Sequence, residues 1–91
     1  MATWIKTDGT LETVKPINGK RFSLAELQKF VGGYIQLVKT KKPVKYMYVN
    51  EEGTLENLPV NYKATDLIDS RFWVLPPGIR GNVIVCEKGE G

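Results

Sequence analysis

Turn signals cut this chain into short pieces, and that punctuation constrains its fold more than any other feature. Asp8-Gly9, Asn18-Gly19, Gly32-Gly33 and Pro76-Pro77-Gly78 interrupt its apolar runs. Glycine and proline are the strongest local breakers of regular structure. The apolar runs between them are a few residues long, far below the roughly 20 that a membrane helix needs. Ninety-one residues make one domain, with 87–91 expected as a frayed tail. A domain of this size is only marginally stable from its own core.

Residues 3–6 and 10–15 read as two strands joined at Asp8-Gly9. That dipeptide suits a type I′ hairpin turn with positive φ at both central positions. Pro16 ends the second strand or places it at an edge, and Asn18-Gly19 marks another turn. Ser23 and Glu26 form a capping box. Leu24, Leu27, Phe30 and Val31 follow at helical spacing, and Gly32-Gly33 stops the helix.

Tyr34 to Val38 and Lys45 to Asn50 read as two strands around a Lys41-Lys42-Pro43 turn. Within each, side chains alternate between faces. Ile35 and Leu37 oppose Tyr34, Gln36 and Val38; Met47 and Val49 oppose Tyr46, Tyr48 and Asn50. If the aliphatic faces cover the helix, a Tyr34/Gln36/Tyr46/Tyr48 surface is left on the other side. Such a surface suits packing, a subunit contact or ligand stacking.

Asn50-Glu51-Glu52-Gly53 is a turn, and Leu58-Pro59-Val60-Asn61 leads into a second helix over about 62–69. Asn61 is its N-cap candidate. Lys63 falls in the first turn, where a cation is unfavourable and a bound anion would relieve the conflict. Arg71-Phe72-Trp73-Val74-Leu75 ends at the double proline. Val83 to Cys86 is aliphatic throughout, which predicts a central strand buried on both faces. The expected fold is α+β, with an antiparallel or mixed sheet of about five strands and two helices.

Several chemistries are poorly served. The chain has no His and one Cys, so no zinc set and no disulfide can form; no metal or cofactor is expected. Cys86 sits in an apolar run and reads as a small buried hydrophobe. Oligomerisation is the natural extra source of stability. General acid–base work would fall to Glu51, Glu52, Asp66 or Asp69, without a nucleophile motif or a P-loop, so no enzyme activity is expected. The start Met1-Ala2-Thr3-Trp4 has no signal-peptide pattern, which predicts a cytoplasmic protein.

Charge is uneven. Residues 1–50 hold nine Lys/Arg against three Asp/Glu, and residues 51–91 hold four against seven. The densest basic cluster is Lys39, Lys41, Lys42 and Lys45. It has no Arg and no interleaved aromatics, a weak signal for nucleic acid.

The order Leu27, Val31-Gly32-Gly33-Tyr34-Ile35, Val49-Asn50-Glu51-Glu52-Gly53, Leu58-Pro59-Val60-Asn61, Ala64-Thr65 and Ile79-Arg80-Gly81-Asn82-Val83-Ile84-Val85 resembles a family of small proteins of unknown function. Phages, prophages and plasmids encode that family. The resemblance covers roughly residues 10–86 and implies a cytosolic protein made in a bacterial host. It brings no catalytic residues.

The leading expectation is a non-catalytic, homo-oligomeric binder that sequesters a nucleotide-derived immune signal as an anti-defence sponge. Tyr34, Tyr48 and Trp73 would stack the base. Gln36, Asn50, Asn61 and Asn82 would bond its edges. Arg71 and Arg80 would hold phosphate through a planar fork. The alternatives are an inhibitor or adaptor that binds a host protein, with Phe72-Trp73 as a hot spot, and a weak nucleic-acid binder.

Overall fold

The pieces that the turns mark out become single elements. The computed structural model describes residues 2–41, 45–53, 56–68 and 78–87. In chain order these give β1 (Ala2–Ile5), β2 (Leu11–Val14), α1 (Leu24–Val31), β3 (Ile35–Lys39), β4 (Lys45–Asn50), α2 (Tyr62–Leu67) and β5 (Val83–Glu87). The five strands form one antiparallel sheet in the order β2-β1-β5-β4-β3. This is the expected α+β domain, with its sheet purely antiparallel. The predicted stretch through Arg71, Phe72, Trp73 and the double proline lies outside the described residues, as does most of the tail.

The β1–β2 turn differs from the type I′ expectation. Gly9 has φ 91°, but Asp8 is not in the positive-φ region. The Gly9 N–H donates to Lys6 O, and the Lys6 N–H donates to Thr10 O. The loop is therefore three residues, a turn with negative φ closed by a left-handed glycine. The Asp8 side chain accepts the Thr10 N–H at 2.8 Å, which stabilises this longer loop over the two-residue one.

Helix α1 starts as its sequence dictates. Ser23 Oγ accepts the Glu26 N–H, and Glu26 Oε1 accepts the Ser23 N–H. Glu26 Oε2 also takes the Ile17 N–H at 2.9 Å, pinning the preceding loop to the helix start. These bonds, first that from Ser23 and then that from Ile17, hold the Glu26 carboxyl below the usual glutamate range. Phe22 and Leu27 share one apolar cluster, the arrangement of a hydrophobic staple. Gly32 closes the helix in the left-handed region.

The sheet carries a helix on each face, which covers both sides of β5 as its apolar run predicts. Ala2, Ile84 and Cys86 join Leu27 and Val31 of α1 in one cluster. Ile5, Met47, Val83 and Val85 join Ala64 and Ile68, within and just after α2, in the other. This explains why β5 is apolar without alternation: both of its faces are covered, and it sits at the centre of the sheet.

The register of β3 against β4 overturns the proposed tyrosine surface. Leu37 stands opposite Tyr48 and Gln36 opposite Val49. Cross-strand partners share a face. Ile35 and Leu37 therefore lie with Tyr46 and Tyr48 on the α1 side, while Gln36 and Val38 lie with Met47 and Val49 on the α2 side. Alternation within a strand fixes which residues go together; register decides which set faces which neighbour, and a one-residue offset reverses the answer.

Helix α2 is shorter than expected and ends at Leu67, with Ile68 back in extended backbone. It hangs between two tethers. At its start, Val60 bridges Arg80, the Asn61 N–H donates to Ile79 O, and the Gly81 N–H donates to Pro59 O. At its end, Ile68 bridges Thr40 and the Lys41 N–H donates to Leu67 O at 2.9 Å. The second tether holds α2 alongside the β3–β4 connection.

Candidate functional site

The residues expected to hold a ligand are dispersed. Tyr34 precedes β3 and is 66% exposed. Gln36 is exposed on the α2 side of edge strand β3. Tyr48 is half-buried on the opposite face, against the α1 cluster. Burial raises its phenol above the ordinary tyrosine value; neighbouring Cys86 adds to the rise, and Arg21 opposes it. Arg71 and Trp73 lie outside the described residues.

The asparagines and Arg80 serve the fold. Asn61 is 1% exposed. Its Nδ2 donates to Ile5 O and Gly81 O, each at 3.0 Å, and its Oδ1 accepts the Ala64 N–H at 3.1 Å. Both of its donors are occupied by backbone, so its amide is closed to a ligand. Asn50 Nδ2 donates to Val31 O and Glu56 Oε1, and its Oδ1 accepts the Glu52 N–H at 2.8 Å. It ties the end of α1 to the turn after β4. Asn82 Oδ1 accepts the Thr7 N–H, fastening the β1–β2 turn to the entry of β5. Arg80 Nη1 donates to Leu58 O at 2.9 Å. The three amides expected to bond a base edge and the guanidinium expected to hold phosphate are thus engaged with the chain itself.

A different constellation forms a groove of about 450 Å³ on the α2 side of the sheet. Its floor is aliphatic and comes from strands: Ile5 and Thr3 of β1, Leu11 of β2 and Val85 of β5. One wall is α2, through Lys63, Asp66 and Leu67. The other end is the β3–β4 connection, through Thr40, Lys41 and Lys45. The tether between Lys41 and Leu67 closes that end, and Thr40 Oγ1 donates to Lys45 O across it at 3.0 Å.

Among the described lining residues, three lysines thus border one aliphatic floor, with Asp66 as the one acidic residue. Lys63 lies toward the β1–β2 turn, its Cε 4.0 Å from where a Cβ on Gly9 would stand. Lys41 and Lys45 lie at the opposite end of α2. Lys45 stands opposite Glu87 in the β4–β5 ladder. Among the described residues, Lys41, Lys45 and Lys63 form no ion pair. Lys6, by contrast, is held by Glu12 at 3.4 Å and lies over the Trp4 ring.

Sequence reasoning noted three of the groove's residues without assigning them to a ligand site. Lys41 and Lys45 belong to the basic cluster, and Lys63 was marked by its unfavourable place in a helix first turn. The floor was missed, because nothing local shows that Leu11 on one edge strand and Leu67 on a short helix border the same space. The volume falls within the roughly 300–1,000 Å³ of small-ligand sites, and an aliphatic lining with a few polar groups is their usual make-up.

A family profile described as Domain of unknown function (DUF3846) matches residues 4–91, and the chain belongs to that family. No curated protein and no solved structure matches it. Among the described residues, no helix is long and apolar enough to cross a membrane.

Proposed function

We propose that this member of the DUF3846 family is a non-catalytic binding protein that takes a phosphate-bearing small molecule of nucleotide type into the groove between α2 and the sheet. The observation that carries the reading is the convergence of Lys41, Lys45 and Lys63 on one aliphatic floor. Lysine meets phosphate as a point charge. Ile5, Leu11, Leu67 and Val85 supply an apolar surface for the flat body of the ligand.

The lining supports binding without turnover. Among the described residues it offers one carboxylate, Asp66, and neither imidazole nor thiol, whereas general acid–base chemistry usually needs a positioned pair of groups. The phage or mobile-element setting implied by the sequence resemblance gives such binding a use: removal of a nucleotide-derived immune signal. A signal larger than the groove needs a second copy of the chain at its mouth, which is where a homo-oligomer enters the proposal.

Native mass spectrometry of the protein purified from a bacterial lysate tests this reading. The expected result is an oligomer carrying a stoichiometric nucleotide-mass adduct, lost in the K41A/K45A/K63A variant while its circular dichroism stays unchanged. An apo monomer that also ignores added nucleotides would refute it and redirect the search to a host-protein partner.

A further inference from the structure

Asp66 is out of place in a groove built only for an anion. It lines the same space as three lysines, and a carboxylate there weakens phosphate binding unless it has a partner on the ligand. Its position along α2 supplies one. Asp66 follows Lys63 by three residues, a spacing that puts both on one side of the helix. Lys63 and Asp66 therefore lie about one helical turn apart along one wall, a donor and an acceptor over the same aliphatic floor.

We infer that Lys63 and Asp66 read the edge of a guanine base whose phosphate lies on Lys41 and Lys45, an inference that rests on the groove being a nucleotide site. Guanine presents the carbonyl O6 beside two N–H donors, N1 and N2. A carboxylate accepts both N–H groups at once, and an adjacent ammonium donates to O6. Hypoxanthine keeps O6 and N1–H but lacks the N2 donor. Adenine offers one donor and one acceptor and leaves half of the carboxylate unused. Apolar side chains that sandwich a base while polar groups read its edge are a recurrent mode of base recognition. Lys63 stands toward the β1–β2 turn and Asp66 next to Leu67, whose carbonyl holds Lys41, so the ligand runs along α2 with its phosphate beyond the Leu67 end.

Isothermal titration at low salt with guanosine, inosine and adenosine monophosphates tests the assignment on the full chain. The wild type is expected to hold the guanosine nucleotide at least about tenfold tighter than the other two, since losing one charge-assisted hydrogen bond has that scale. D66N should bring guanosine and inosine nucleotides within about twofold of each other. K41Q/K45Q should weaken all three alike and leave their order unchanged. Asp66 is exposed on a helix, so D66N should fold, and circular dichroism checks this. If the wild type binds all three equally, or D66N keeps the guanosine preference, the base-reading role is overturned while nucleotide sequestration stands. If the wild type binds none of them, both fall.

Discussion

Asn61 offers the sharpest test of how this fold is held. Replacing it by Ala removes three buried hydrogen bonds at once. The cap to the Ala64 N–H contributes about 1 kcal/mol. The two donations to Ile5 O and Gly81 O contribute about 1 kcal/mol each, and more where a buried carbonyl finds no replacement. The expected loss is therefore about 3–5 kcal/mol. A chain of 91 residues has a total stability of about 5–14 kcal/mol, so N61A should lose a large share of it. For a domain of this size, each kcal/mol moves Tm by about 4–8 °C, which puts the expected drop at about 12–40 °C. Urea and thermal unfolding followed by circular dichroism give both numbers. N61D separates the parts: it keeps the cap acceptor but turns a carboxylate toward two carbonyls. Folding raises the pKa of that carboxyl, so the defect of N61D should be greatest above its folded pKa and shrink as pH falls and the group protonates. A loss near 1 kcal/mol in N61A, equal to an ordinary surface cap, would refute the idea that this amide joins β1, α2 and the Gly81 turn.

Other substitutions probe separate links. Glu26 has a folded pKa below its unfolded value of 4.5, so its contribution is complete above that pH and disappears as pH falls through the lowered value; E26Q should flatten this part of the acid-unfolding curve, and an unchanged acid limb would contradict the double bond to Ser23 and Ile17. At Gly53 an added Cβ would stand 2.9 Å from the Arg80 carbonyl oxygen, a backbone atom that cannot swing away; G53A should destabilise by about 1–3 kcal/mol, and a neutral result in urea would show that the turn after β4 yields freely. Met47 is 0% exposed on the α2 side of the sheet; M47A should cost about 2–5 kcal/mol, and a smaller value would mean that this side of the core collapses around the gap.

Local chemistry made much of the fold legible. The Ser23/Glu26 box, the Gly32 stop, the Asn61 cap and the central β5 are all decided by neighbours in sequence, or by an apolar run that needs cover on both sides. The β1–β2 turn was readable only in outline, because Asp8-Gly9 serves a two-residue or a three-residue loop and the Asp8 bond to Thr10 selects between them. The tyrosine surface failed for a non-local reason: the offset between β3 and β4 is set by the connection joining them and by what each face packs on. The groove is non-local throughout. Its cations were visible in the sequence, but the floor from β1, β2 and β5 and the wall from α2 meet only through the folded topology.

The most direct measurement is a methyl-resolved NMR titration of the full chain with a mononucleotide. Saturable shifts are expected at the methyls of Ile5, Leu11, Leu67 and Val85, with the Lys41, Lys45 and Lys63 side chains moving in step and Leu37 and Ile84, on the α1 side, unmoved. Shifts confined to the α1 side, or none at nucleotide concentrations that saturate ordinary binding proteins, would contradict the claim that this groove is the site.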